Sequence, residues 1–107
     1  MKTEAIFSDG CLRLCLDGEL DHHAAKRTMT VIEDAIDLYL PRQCILDLGG
    51  LTFMDSSGIA VILKTQRRMR EFGGQTAVEN VPKQPLRVID TAGIDRLVKI
   101  TSTMKPR

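Results

Sequence analysis

The stretch QCILDLGGLTFMDSSGIAVIL, residues 43–63, decides the fold. Residues 43–48 are short, apolar and free of strict alternation, which predicts a central strand buried on both faces. Gly49-Gly50 is expected to break it. After Asp55 the period changes. Ile59, Ile62 and Leu63 open an apolar stripe at helical spacing, continued by Met69 and Phe72, so a helix begins near Ser56. Lys64, Arg67, Arg68 and Arg70 fall largely off this stripe and read as a solvated, basic face that suits the helix C-terminus. Gly73-Gly74 supplies the stop. A buried strand feeding a helix within a few residues is half of a βαβ unit.

Upstream, residues 4–7 form a short strand, and Ser8-Asp9-Gly10 is a turn signal. Leu12, Leu14 and Leu16 then alternate with Cys11, Arg13 and Cys15, so the chain opens with a hairpin. Gly18-Glu19-Leu20 leads to Asp21, a helix N-cap. From His22 to about residue 40, Ala25, Met29, Ile32, Ala35, Ile36 and Tyr39 keep a helical period, and Pro41 ends it. Downstream, residues 75–79 predict a strand. Pro85 sits in the first turn of a short helix carrying Leu86 and Ile89, closed by Ala92-Gly93. Residues 97–100 predict the last strand and residues 101–107 a polar, frayed tail. The fold class is α/β: one domain over residues 1–107, with a mixed, mostly parallel sheet that starts with a hairpin and is covered by helices.

Fifteen basic residues against fourteen acidic ones leave a net charge of +1, which argues against direct binding to nucleic acid. With no tryptophan and one tyrosine there is no stacking platform for single strands. The first residues lack the apolar run of a signal peptide, and no segment is long enough to span a bilayer, so a cytoplasmic protein without membrane contact is expected. Cys11, Cys15 and Cys44 make an odd count without a C-x-x-C pair, so reduced, mostly buried thiols are expected, with no metal site and no cofactor. His22 and His23, adjacent on a helix, point in different directions and cannot readily share a metal ion.

Chemistry is concentrated in Asp55-Ser56-Ser57-Gly58, between the carboxyl end of a strand and the start of a helix. Taken alone, D-S-S-G is far more often a cap than a regulated site. A phosphate on an oxygen nucleophile here would lie against the helix N-terminus, where the dipole is worth about 0.3–1 kcal/mol to an anion. Two rival readings use the same residues. One is a response-regulator receiver with Asp55 as phosphoacceptor, although no acidic pair follows the early strand. The weaker rival is a serine hydrolase, for which the leading glycine of the nucleophile elbow is missing. No phosphate loop of the G-K-[ST] kind is present.

The run LTFMDSSGIAVIL, residues 51–63, resembles the signature of STAS-domain anti-sigma-factor antagonists, and GELDHH, residues 18–23, resembles a second signature of that family. The resemblance is closest to its sporulation members and extends from the hairpin to about Ile100. It implies a binding module with no catalytic residues of its own. The unphosphorylated form would bind an anti-sigma factor that is also a serine kinase, with ATP and Mg held by that partner, and so free a sigma factor. The kinase would phosphorylate Ser56 and a serine phosphatase would reverse it. Asp21, Asp55, Ser57, Gly58 and Ile59 are the expected partner-binding residues, Asp21 because its motif position lies near the phosphoacceptor, and Gly58 because a small residue permits close approach. The free protein is expected to be a monomer. Related sporulation proteins carry a further C-terminal helix after the last strand, beyond the point where this sequence stops at Arg107.

Overall fold

Asp9 and Gly10, with φ of 53° and 78°, make the two-residue turn that joins β1 (Lys2–Ser8) to β2 (Cys11–Leu20). Both positions need positive φ, which glycine takes freely and aspartate tolerates. The computed structural model describes residues 1–102. After the hairpin come α1 (His22–Tyr39), β3 (Gln43–Met54), α2 (Ser56–Arg70), β4 (Gln75–Val81), α3 (Lys83–Ala92), a 3-10 turn (Ile94–Arg96) and β5 (Lys99–Ser102).

The five strands lie in the order β1-β2-β3-β4-β5. The first pair is antiparallel and every later pair parallel. Parallel neighbours need crossovers, crossovers are right-handed, and here each steps in the same direction, so all three helices fall on one face. α1 packs on β2, α2 on β3 and β4, and α3 on β3, with α2 between the other two helices. Beneath them Leu12, Leu14, Leu16, Leu46, Leu48 and Val78 join Ile32, Ile36, Ile62, Met69 and Ile89 in one core. Burying side chains of this size contributes roughly 1.5–3 kcal/mol each.

The opposite face carries Cys11, Arg13, Cys15, Asp47 and Glu79, and among the described residues no helix covers it. There the Arg13 guanidinium bridges Asp47 and Glu79, each at 2.9 Å, tying β2, β3 and β4 together. The hydrogen bond to Glu79, then the two nearby carboxylates, hold the Arg13 pKa above its ordinary value.

Several boundaries differ from the sequence expectation. Gly49-Gly50 does not end β3, which runs on to Met54. β2 stays paired with it through Leu20 by shifting register between Cys15 and Asp17 and again between Gly18 and Glu19. A Cβ at Gly50 would overlap Asp17 Oδ1, so this glycine permits close strand approach at a bulge rather than a break. β5 begins at Lys99, not at residue 97. The 3-10 turn draws the N–H groups of Leu97 and Val98 back to the Ile94 carbonyl at 2.9 and 3.1 Å and leaves Leu97 exposed. Thr101 and Ser102, expected in the tail, belong to β5. The rest of the expected frayed tail, residues 103–107, lies outside the described residues. In α2 the buried positions are Gly58, Val61, Ile62, Thr65 and Met69, whereas Phe72 lies beyond the helix and is exposed. The basic face is solvated at Lys64, Arg67 and Arg70, but Arg68 is half-buried and paired with Asp37 and Glu71. Leu40, at φ 45°, gives α1 a left-handed C-cap before Pro41.

Candidate functional site

Leu20 and Met54 are Cα partners at the carboxyl ends of β2 and β3, so the residues that follow them, Asp21 and Asp55, leave the sheet side by side. Each caps a helix. Both have extended backbones, at φ,ψ of −105°,−174° and −110°,−168°. The Asp21 carboxylate accepts the Ala24 N–H at 3.0 Å, and that of Asp55 accepts the Ser57 N–H at 2.8 Å. The Gly58 N–H donates to the Asp55 carbonyl at 2.9 Å, and the Asp55 N–H reaches the Leu20 carbonyl at 3.4 Å. Two carboxylates thus occupy two neighbouring helix N-termini, where the dipole favours negative charge.

Between these fixed points Ser56 is the first residue of α2 and is exposed, while Ser57 and Ile59 are half-buried. The Ser56 hydroxyl has no hydrogen-bond partner among the described residues. Gly58, also expected among the partner-binding residues, is buried. A Cβ there would overlap Met54 Cγ and stand 2.6 Å from its sulfur. Its smallness permits the close approach of α2 to the end of β3. Asp55 is a cap, and among the described residues no three His, Cys, Asp or Glu side chains come together as a cation site. His22 and His23 stand edge to face, 5.9 Å between ring centroids, at the exposed start of α1.

Two features of the site lie outside the sequence motifs. The side-chain amide of Gln84, in the first turn of α3, lies alongside the end of β3. Its Oε1 accepts the Met54 N–H and its Nε2 donates to the Met54 carbonyl, both at 2.8 Å. Further back, where β3 and β4 part, the Asp47 carboxylate accepts from Arg13, from the Gly49 N–H at 3.0 Å and from Asn80 Nδ2 at 3.1 Å. An acidic residue inside the apolar run of residues 44–48 was the one sign of this hub. Asn80 itself takes φ 56°, turning β4 away from β3.

A groove between α1 and α2 opens beside Ser57, floored by Ala25, Met29 and Val61 and walled by Lys26, Lys64 and Arg67. The three cysteines are free, with Cys44 buried and Cys11 and Cys15 half-buried. Among the described residues no helix is long and apolar enough to cross a membrane.

Known proteins resemble this chain in sequence and in fold. The family described as STAS domain matches residues 2–105. The anti-sigma F factor antagonist of Paenibacillus polymyxa is 35% identical over 91 residues, covering 85% of this chain and 78% of that protein. The solved structure of the anti-sigma factor antagonist SpoIIAA in its unphosphorylated form superposes with a TM-score of 0.79 at 26% identity, over 92% of this chain and 87% of that one. The Bacillus cell fate determinant SpoIIAA in its phosphorylated form superposes with a TM-score of 0.69 at 28% identity, over 92% and 90% of the two chains.

Proposed function

Since the chain belongs to the STAS domain family, we propose that it is an anti-sigma-factor antagonist switched by phosphorylation of Ser56. In its unphosphorylated form it binds an anti-sigma factor and so releases the sigma factor that this partner holds. The same partner, acting as a serine kinase with its own ATP and Mg, transfers the γ-phosphoryl group to Ser56 Oγ, and a serine phosphatase removes it. The chain is regulatory: it supplies an acceptor and a surface, and the chemistry of transfer belongs to the partner. Acting on an anti-sigma factor, it works in the cytoplasm, as a monomer when free.

One observation carries this reading. Ser56 is the exposed hydroxyl at the start of α2, and its neighbours are held on both sides by the Asp55 cap and the buried Gly58. A phosphate there adds about −1.5 to −2 charges beside the Asp55 carboxylate and at the end next to Asp21. Within the fold the helix dipole favours that charge, so the domain stays folded. Where a partner packs closely against Asp21, Asp55, Ser57 and Ile59, the same charge must be desolvated. An unpaired buried charge costs several kcal/mol, and about 1.4 kcal/mol is tenfold in affinity. Binding is lost while structure is kept.

The test is incubation with the anti-sigma kinase of the same organism and Mg-ATP, followed by intact mass and site mapping, with binding to that kinase measured before and after. Stoichiometric phosphoserine at position 56 with loss of binding is the expected result. Acid-labile phosphate on Asp55, or label on Ser57 alone, would overturn the assignment.

A further inference from the structure

We propose that Gln84 positions the phosphoacceptor turn, so that through it α3 sets how Ser56 is presented; this rests on the reading of Ser56 given above. The β3–β4 ladder ends at the Asp47–Glu79 pair, whereas β3 continues to Met54 with β2 alone beside it. On the side that β4 has left, the N–H and C=O of Met54 have no strand neighbour. A primary amide offers one donor and one acceptor side by side, the same pair that a neighbouring strand residue would present. Gln84 offers them to Met54 at 2.8 Å each. It acts as a one-residue stand-in for β4, with Met54 buried beneath α2 and packed near Gly58.

No other side chain serves equally at this length. Leucine has neither group, asparagine is one methylene shorter, and ionised glutamate accepts but cannot donate. Of the lateral contacts on the two sides of the β3 end, the Gln84 clamp is the tighter. On the β2 side the Asp55 N–H meets the Leu20 carbonyl only at 3.4 Å. At its other end Gln84 is the second residue of α3, whose N-cap, Pro82, makes no side-chain cap bond. The start of α3 is therefore held to the sheet by this amide together with the buried Pro85 and Ile89. A displacement of α3 is passed to Met54, then one residue on to the Asp55 cap, then to Ser56. Gln84 acts through these residues and has no contact with the phosphoryl group.

The experiment uses the full chain as wild type, Gln84→Leu and Gln84→Glu. Amide hydrogen exchange at Met54 is followed by NMR, and turnover by the anti-sigma kinase is measured as separate kcat and KM. In Gln84→Leu the Met54 amide is expected to exchange roughly tenfold faster. The kcat for Ser56 is expected to fall by roughly tenfold with KM unchanged, because misplacing an acceptor costs rate more than affinity. In Gln84→Glu the loss at neutral pH is expected to be recovered in Met54 exchange as the pH falls through about 4.3, where a protonated carboxyl again both donates and accepts. Should Gln84→Leu fail to fold, Gln84→Glu reads the same two quantities. Unchanged exchange at Met54, or faster exchange with unaltered kcat, overturns the proposal alone. A wild-type chain that takes no phosphate at Ser56 sinks the Ser56 reading and this proposal together.

Discussion

The Asp55 carboxylate accepts the Ser57 N–H at 2.8 Å, and Ser56 is the single residue that this bond encloses. The cap fixes the backbone before and after the serine yet leaves its hydroxyl facing outward. Rigidity of the peptide and freedom of the side chain therefore coexist at one residue. A kinase acting there meets an acceptor whose main-chain entropy has already been lost on folding.

Ser56→Asp is expected to block partner binding without unfolding the domain. Aspartate is a good residue for a helix start, and the dipole favours its charge. It carries about one charge where phosphate carries nearly two, so it mimics the phosphate in part. A binding titration with the anti-sigma kinase should show at least a roughly tenfold loss of affinity, with the melting temperature within a few degrees of wild type. Wild-type affinity would contradict the electrostatic account.

Asp55→Ala and Asp55→Asn separate capping from charge. Alanine removes the bond to Ser57 and should cost about 0.5–2 kcal/mol in denaturant unfolding, whereas asparagine caps nearly as well and should cost a few tenths. If the Asp55 charge also opposes the phosphate, phosphorylated Asp55→Asn should retain more partner binding than phosphorylated wild type. Equal stability losses for the two variants would show that the cap contributes little.

Gly58→Ala should destabilise the domain even though alanine is the better helix former by about 1 kcal/mol. The new methyl meets the buried Met54 side chain and stands 3.2 Å from Leu20 Cδ2. Overpacking of this kind costs about 1–3 kcal/mol, which exceeds the propensity gain. Chemical denaturation checks the sign, and a more stable variant would mean that Met54 moves aside freely.

The Cys44 thiol predicts a loss of stability in alkaline solution. Burial, with a smaller contribution from Cys11, pushes its pKa from 9.0 up to about 12. Below pH 9 the thiol is protonated in both states and stability does not depend on it. From pH 9 to about 12 the unfolded chain releases the proton and the folded chain keeps it, so stability falls by about 1.4 kcal/mol per pH unit. Comparing wild type with Cys44→Ala isolates this slope from lysine and tyrosine titration. Parallel curves for the two proteins would disprove it.

Most of the fold was legible because it follows from period and punctuation. Apolar spacing located α1 and α2, Asp21 announced the start of the first and the D-S-S-G run that of the second, and the Asp9-Gly10 turn announced the hairpin. The failures have two causes: the stop signal of a glycine pair was overruled by a strand distant in sequence, and the strand signal of an apolar pair by a turn that closes only three residues upstream. Gly49-Gly50 reads as a stop until β2 is seen to bulge against it, and Leu97 reads as strand until Ile94 claims its N–H. At the site, the two serines could be found from D-S-S-G, but their unequal exposure could not. It depends on which side of α2 faces the core, where Gly58 packs on Met54. Gln84 carries no periodic or motif signal at all, because its partner lies thirty positions away and is backbone.

The strand order, identical in space and in sequence, bears on how the chain reaches this state. Every strand pairs with the one synthesised just before it, so no pairing must wait for a distant segment to arrive. Parallel sheets ordinarily fold slowly because loop closure must precede any favourable contact. Here each closure spans only one helix. Successive strand–helix units can add to the opening hairpin one at a time, and the edge left waiting for its next strand is the only one that is transiently open on that side.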